Sequence, residues 1–193
     1  MNANQQAPEL DKLLSLEEAK RIILQAEQDL TLLKEQEGDS HLIGHFGVSP
    51  VYSLASPSRQ ELENALSKYF SQELMKYVLI THEIVCTETE CGNYGDSEGQ
   101  YVVNTEGNFE MLEQTEQRAV IQVPFTFEGI NENNEFPDTT GTYTFVRQSN
   151  GGFLITDISQ EYNDQLYNYE EELLVDPDPD WGMGTDEDIP YIT

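Results

Sequence analysis

Positive charge is scarce in this chain. Nine Lys and Arg stand against 37 Asp and Glu in 193 residues, a formal net charge of −28. So acidic a surface excludes a conventional nucleic-acid binder, which must meet phosphates with Lys and Arg. It also disfavours docking on an anionic membrane. No run of about 18 apolar residues is present, so no segment reads as a membrane-spanning helix. There is no P-loop, no Gly-x-Gly-x-x-Gly and no Gly-x-Ser-x-Gly elbow, so the common phosphate cradles and hydrolase nucleophiles are missing. No internal repeat is visible. Tryptophan occurs once, cysteine twice and histidine three times.

What is present suits a folded domain. Ten Tyr and eight Phe can fill a core, although only 37% of the residues are hydrophobic. The length fits one domain with a tail. The charge is uneven. From Asp157 to Thr193 there are twelve acids and no Lys or Arg. We expect residues 1–13 to be a disordered spacer and 14–160 an α+β domain. Residues 161–193 are expected to be an acidic segment, with a helix over Tyr162–Val175 and then a flexible tail. Asp176-Pro177-Asp178-Pro179 cannot be helical through its prolines.

Helical periodicity comes first. Ser15-x-x-Glu18 is a capping box. Leu16, Ala19, Ile23, Ala26, Leu30 and Leu33 then form one apolar stripe, with Glu17, Lys20, Gln25, Glu27 and Gln28 assigned to the outer face. Glu37 to Pro57 reads as a loop with a short extended piece at Val48-Ser49-Pro50-Val51-Tyr52-Ser53-Leu54. Ser58-x-x-Glu61 starts a second helix, and Ser71-x-x-Leu74 a short turn ending near Tyr77. Leu79–Val85 reads as a strand, as do Tyr101–Val103, Phe109–Leu112, Ala119–Phe127, Thr142–Val146 and Phe153–Ile158. Pro124 hints at an edge or bulge, and Asn150-Gly151-Gly152 at a tight hairpin. The expected fold class is α+β, with N-terminal helices packed on a curved antiparallel β-meander and an acidic C-terminal tail.

Candidate chemistry is thin. Cys86 and Cys91 could be cross-strand neighbours closing a small disulfide, or two unrelated thiols. His82 with Cys86 makes a poor thiol–imidazole pair. His41 and His45 lie four apart, but among glycines, so loop or packing roles outweigh metal ligation. Asp176, Asp178, Asp180 and Glu187 match positions 1, 3, 5 and 12 of a calcium-loop template, with Gly182 at position 7. Trp181 stands where Gly is required, so a solvated acidic tail competes with calcium as the account. No other cofactor is indicated. The turn Gly92–Gly99 presents Asp96 and Glu98 outward, as a partner-contacting loop or an ordinary hairpin loop.

The order of these segments resembles a family. Leu14-Ser15-Leu16-Glu17-Glu18-Ala19, Val51-Tyr52-Ser53-Leu54, Arg59-Gln60-Glu61-Leu62, Leu66-Ser67-Lys68-Tyr69-Phe70, the turn Asn93–Gly99, Tyr143-Thr144-Phe145 and Gly152-Phe153-Leu154-Ile155 are similar to the bacterial cell-wall DL-endopeptidase inhibitor (IseA-like) family. The likeness spans about Leu14 to Ile158. It implies a secreted, non-enzymatic α+β domain that blocks papain-like cysteine endopeptidases of the cell wall. Gly95-Asp96 would match the family's acidic loop, and Glu98 lies beside it. Phe153 stands where the family often has Trp, and the cysteine pair and acidic tail depart from the family pattern. The expected partner is a cationic protein surface. The expected location is secreted or in the cell envelope, with a signal peptide removed ahead of the polar opening Asn2–Pro8; the alternative is cytoplasmic. A rival reading is the cone-shaped ketosteroid-isomerase-like fold, which would hold a small ligand in an aromatic cavity, with a carboxylate such as Asp157.

Overall fold

Ser15 caps the first helix. In a computed structural model describing residues 13–34, 41–46, 49–54, 58–87, 90–94, 99–129 and 136–160, its Oγ accepts the Glu18 amide at 3.2 Å. Helix α1 then runs Leu16–Lys34. Ala19, Ile23, Ala26 and Leu30 of the expected stripe are buried, and Leu16 and Leu33 partly so. Leu14 is also buried, and its carbonyl accepts from Gln114 Nε2 at 2.8 Å. Each fully buried Leu or Ile here contributes about 1.5–3 kcal/mol.

The segment read as a loop contains a hairpin instead. Strand β1 (Leu42–Phe46) pairs antiparallel with β2 (Ser49–Ser53). The register is irregular between Leu42 and Gly44, and this bulge hid the period-two pattern. Val51 is fully buried while Tyr52 is exposed.

Helix α2 (Arg59–Leu66) begins with the capping box of Ser58 and Glu61, both halves of which form. Helix α3 (Gln72–Thr81) begins at Ser71, whose hydroxyl accepts the Leu74 amide. It is longer than the short turn expected. Leu74, Met75, Val78 and Leu79 are buried at helical spacing. The β-branched run after Val78 therefore belongs partly to a helix, and strand β3 is confined to Ile84–Cys86.

Between them, Glu83 takes a positive φ of 61°. This is the left-handed position where helices commonly end, usually on Gly. Strand β4 (Cys91–Asn93) returns antiparallel on β3, and the first sheet runs β1-β2-β4-β3.

The second sheet is strongly curled. Strand β7 (Arg118–Gly129) is its spine, with Ala119, Ile121, Val123 and Phe125 buried on one face as the alternation demands. Strand β8 (Thr139–Arg147) pairs along one side of it, and β9 (Phe153–Gln160) follows after a tight hairpin in which Gly151 has φ 88°.

On the other side β7 has two neighbours. Strand β5 (Gly99–Val103) pairs with residues 125–129, and β6 (Glu110–Gln114) with residues 119–122. Pro124 falls at the gap, where its carbonyl accepts from the Asn104 amide at 2.9 Å. Its missing N–H would have faced that same side, so proline costs no ladder bond here. Gly107 lies against the proline ring; a Cβ there would come within 2.5 Å of it. The expected edge or bulge is thus a break between two partner strands.

The α+β class holds, with two sheets rather than one meander. Helices and curled sheet share one core, from Ile23 and Leu30 through Leu62, Leu66 and Phe70 to Ile121, Phe145 and Ile155. The free edge of β9 is covered by the α2–α3 link: Ser71 N–H donates to Ile155 O at 2.9 Å, and Ile155 N–H to Tyr69 O at 2.8 Å. No helix among the described residues is long and apolar enough to cross a membrane. The N-terminal spacer and the acidic segment 161–193, with its expected helix, lie outside the described residues.

Candidate functional site

A cleft of about 330 Å³ opens between α1, the C-terminal end of α3 and the second sheet. Its walls are aromatic. Phe127 stacks on Phe136 with ring centres 4.3 Å apart and meets Tyr101 edge-on at 5.5 Å. Phe125 stacks with Tyr143 at 6.3 Å. Tyr77 and Tyr94 complete the ring surface.

The polar centre is Glu27. One carboxylate oxygen accepts from the Tyr143 hydroxyl at 3.0 Å, and the other lies 3.0 Å from His82 Nε2. The second ring nitrogen of His82, Nδ1, is 2.8 Å from the Val78 carbonyl. Carbonyl and carboxylate oxygens only accept, so the doubly protonated ring satisfies both contacts. A helix C-terminus, where His82 sits as the cap of α3, favours a cation.

The spacing held a signal for Glu27. It follows Ile23 by four residues and precedes Leu30 by three, so it borders the apolar stripe. Assigned to the outer face, it instead turns into the cleft with a side chain 21% exposed. Tyr143 was legible only as a strand residue, and no local pattern joins it to α1.

Two tyrosines of the cleft, Tyr94 and Tyr143, hold their protons more tightly than a free phenol. Burial, and secondarily the charge of Glu83, push Tyr94 up to about 12. Its hydroxyl donates to Ile80 O at 3.0 Å. Burial, then the neighbouring Glu27 carboxylate, holds Tyr143 well above the usual phenol range.

Two residues that flank the expected partner loop in sequence belong to the cleft. Tyr94 and Gly99 both line the cleft, and residues 95–98 join them. Gly95, Asp96 and Glu98 themselves lie outside the described residues. So do Asp176, Asp178, Asp180 and Glu187 of the calcium template.

Cys86 and Cys91 are a directly paired couple on β3 and β4 and form a disulfide. Cys86 therefore offers no thiol to His82. His41 and His45 are not in a loop: His45 lies on β1 and His41 immediately before it. His41 Nδ1 is 3.1 Å from Ser53 Oγ, and its Nε2 is 3.4 Å from Glu90. That Ser–His–acid chain lies on open surface, with His41 62% exposed. It lines neither of the two depressions formed by the described residues, and its serine oxygen also accepts the His41 amide. We read it as a clip between β2 and the β3–β4 turn.

Asp157, the carboxylate proposed for a cavity, is exposed. The reason is a bulge in β9. Thr144 pairs with Asp157 and Phe145 with Ile155, so Thr156 is an extra residue. The inward parity passes to Ile158 and Gln160, which line the cleft.

A larger depression of about 570 Å³ lies over α2, α3 and β3. It is walled by the Arg59–Glu63 pair, Lys76, Asn64, Ser67 and Gln72 together with aliphatic side chains, and no aromatic ring lines it. The smaller aromatic cleft is the better site because ring faces and a bonded carboxylate meet there.

No protein-family model matches the chain, and no curated protein matches it in sequence.

Proposed function

We propose that this protein is a non-enzymatic binding domain that captures a cationic protein surface at the mouth of the aromatic cleft. The observation that carries this reading is the position of Tyr94 and Gly99. They line the cleft and bracket the segment containing Asp96 and Glu98. A net charge of −28 steers a basic partner toward that mouth. By the sequence resemblance, the partner class is a papain-like cysteine endopeptidase of the bacterial cell wall, and the role is inhibition. The Cys86–Cys91 disulfide fits an oxidising compartment, so we place the protein outside the cytoplasm or in the cell envelope.

The test is inhibition of such an endopeptidase, run at low and high salt. Stoichiometric inhibition that weakens in salt is the expected result. Full peptidase activity in the presence of equimolar protein refutes the reading.

A second reading has its own support. A cleft of about 330 Å³ with Glu27 inside suits a small apolar ligand of the kind a cone-shaped fold holds. A panel of hydrophobic small molecules monitored by tyrosine fluorescence separates the two. Saturable binding with no peptidase inhibition favours the small ligand.

A further inference from the structure

We infer that His82 is a proton-operated latch on the aromatic cleft. While the ring is doubly protonated it ties Glu27 of α1 to the end of α3; once one proton leaves, the two side chains part and that wall of the cleft opens. The inference concerns the cleft itself and holds whichever ligand enters it.

The hydrogen-bond pattern carries it. His82 Nδ1 is 2.8 Å from the Val78 carbonyl and 3.3 Å from Thr81 Oγ1. The Thr81 hydroxyl gives its own proton to that same carbonyl at 2.9 Å. Both neighbours therefore offer Nδ1 only lone pairs, and the proton there belongs to the ring. This fixes the ring from α3, with Nε2 directed at Glu27 Oε2, 3.0 Å away. Glu27 uses its other oxygen on the Tyr143 hydroxyl. One further proton, between Nε2 and the carboxylate, makes the contact attractive. Without it, two lone-pair bearers face each other at 3.0 Å and repel.

The latch is within reach of water. The His82 and Glu27 side chains are 20% and 21% exposed, so solvent can deliver and remove the proton. The other ionisable groups lining the cleft are Glu27 from α1, Tyr101 from β5, Tyr143 from β8, Tyr94 beside β4, and Tyr77 and Glu83 from the segment of His82 itself. Among the described residues, no Lys or Arg lines it. Of these side-chain types, imidazole alone ordinarily changes charge between roughly pH 5 and 8. The tie therefore acts in full below about pH 6.5, the ordinary imidazole value, and is lost as pH rises through the value in the closed cleft.

The full chain, labelled with carbon-13 and nitrogen-15, is followed by NMR from pH 5 to pH 8. The His82 ring and the amides of Glu27, Gln100 and Tyr143 should move with one shared midpoint. Cross-peaks between the His82 ring and the Glu27 side chain should fade above it. In His82→Asn these amides should hold still while the rings of His41 and His45 titrate as before. Glu27→Gln, whose amide can donate to a neutral ring, should lower the His82 midpoint by about one pH unit and keep the cross-peaks at pH 8. Cleft amides that hold still in wild type, or move as far in His82→Asn, overturn the latch. So does an unchanged His82 midpoint in Glu27→Gln, or a set of cross-peaks that survives the wild-type titration.

Discussion

Glu27 and His82 lie 55 residues apart in the chain and 3.0 Å apart in the fold. With Tyr143 on the far side of the same carboxylate, they tie α1, the end of α3 and the curled sheet into one polar knot. Replacing Glu27 by Leu strips an acceptor from both partners and should cost about 1–3 kcal/mol. Glu27→Gln, which still offers one acceptor, should cost less. Urea unfolding measures both; equal stability of Glu27→Leu and wild type would show the knot to be idle.

Acid should loosen the opposite flank of α1. Asp29 accepts from Lys68 Nζ at 2.9 Å, the Tyr69 hydroxyl at 2.8 Å and Gln25 at 3.0 Å. Burial alone would raise its pKa, but these donors together hold it below the ordinary aspartate value of 3.8. A depressed carboxyl stabilises the fold above its unfolded pKa, and that contribution fades as pH falls through the folded value. Melting curves from pH 5 to pH 2.5 should therefore fall more steeply for wild type than for Asp29→Asn. Parallel curves would contradict this.

Alkali acts through the cleft. Tyr94, pushed up to about 12, and Tyr143, held well above the phenol range by burial, stay protonated when free tyrosines ionise. Raised folded pKa values stabilise fully below the unfolded value near 10. That stability is lost as pH rises through the folded value. Absorbance titration at 295 nm should show late tyrosines coinciding with unfolding. Ionisation of all ten by about pH 11 in folded protein would be inconsistent with a buried Tyr143.

The disulfide should be a modest staple. It closes a loop over a sequence separation of five, for which chain entropy gives about 2 kcal/mol. The double variant Cys86→Ser, Cys91→Ser should lose about that much with an unchanged circular dichroism spectrum. Collapse of the folded signal at 25 °C would give the bridge a larger part than its loop length allows.

Gly107 has no room for a side chain. Gly107→Val should drive a methyl into the Pro124 ring and cost about 1–3 kcal/mol by overpacking. A neutral effect in urea unfolding would mean that the β5–β6 link can move aside.

Local signals were readable where the physics is local. Ser15, Ser58 and Ser71 announce three helix starts, and Ala119–Phe127 announces its buried face by alternation. The β1–β2 hairpin was hidden because Gly44 and Pro50 look like breakers when their pairing is unknown. Val78-Leu79-Ile80 is apolar, with two β-branched residues, whether it belongs to a helix or a strand, and only burial against the core decides. The cleft was least legible. Its carboxylate comes from α1, its histidine from the end of α3 and its phenol from β8, and only tertiary packing brings them together. Asp157 was misplaced because a bulge at Thr156 shifts parity without leaving a mark in composition.

Glu27 and Asp29 are two residues apart on α1, about 200° around its axis. One reaches the sheet and α3, the other Lys68 and Tyr69 just beyond α2. A stripe of Ala, Ile and Leu alone would tolerate a helix that rolls or slides by a fraction of a turn. Anchors on both flanks of that stripe fix the roll. The width of the cleft is thereby geared to the seating of α1, and a ligand that spreads the aromatic walls must also strain the Asp29 contacts on the opposite flank.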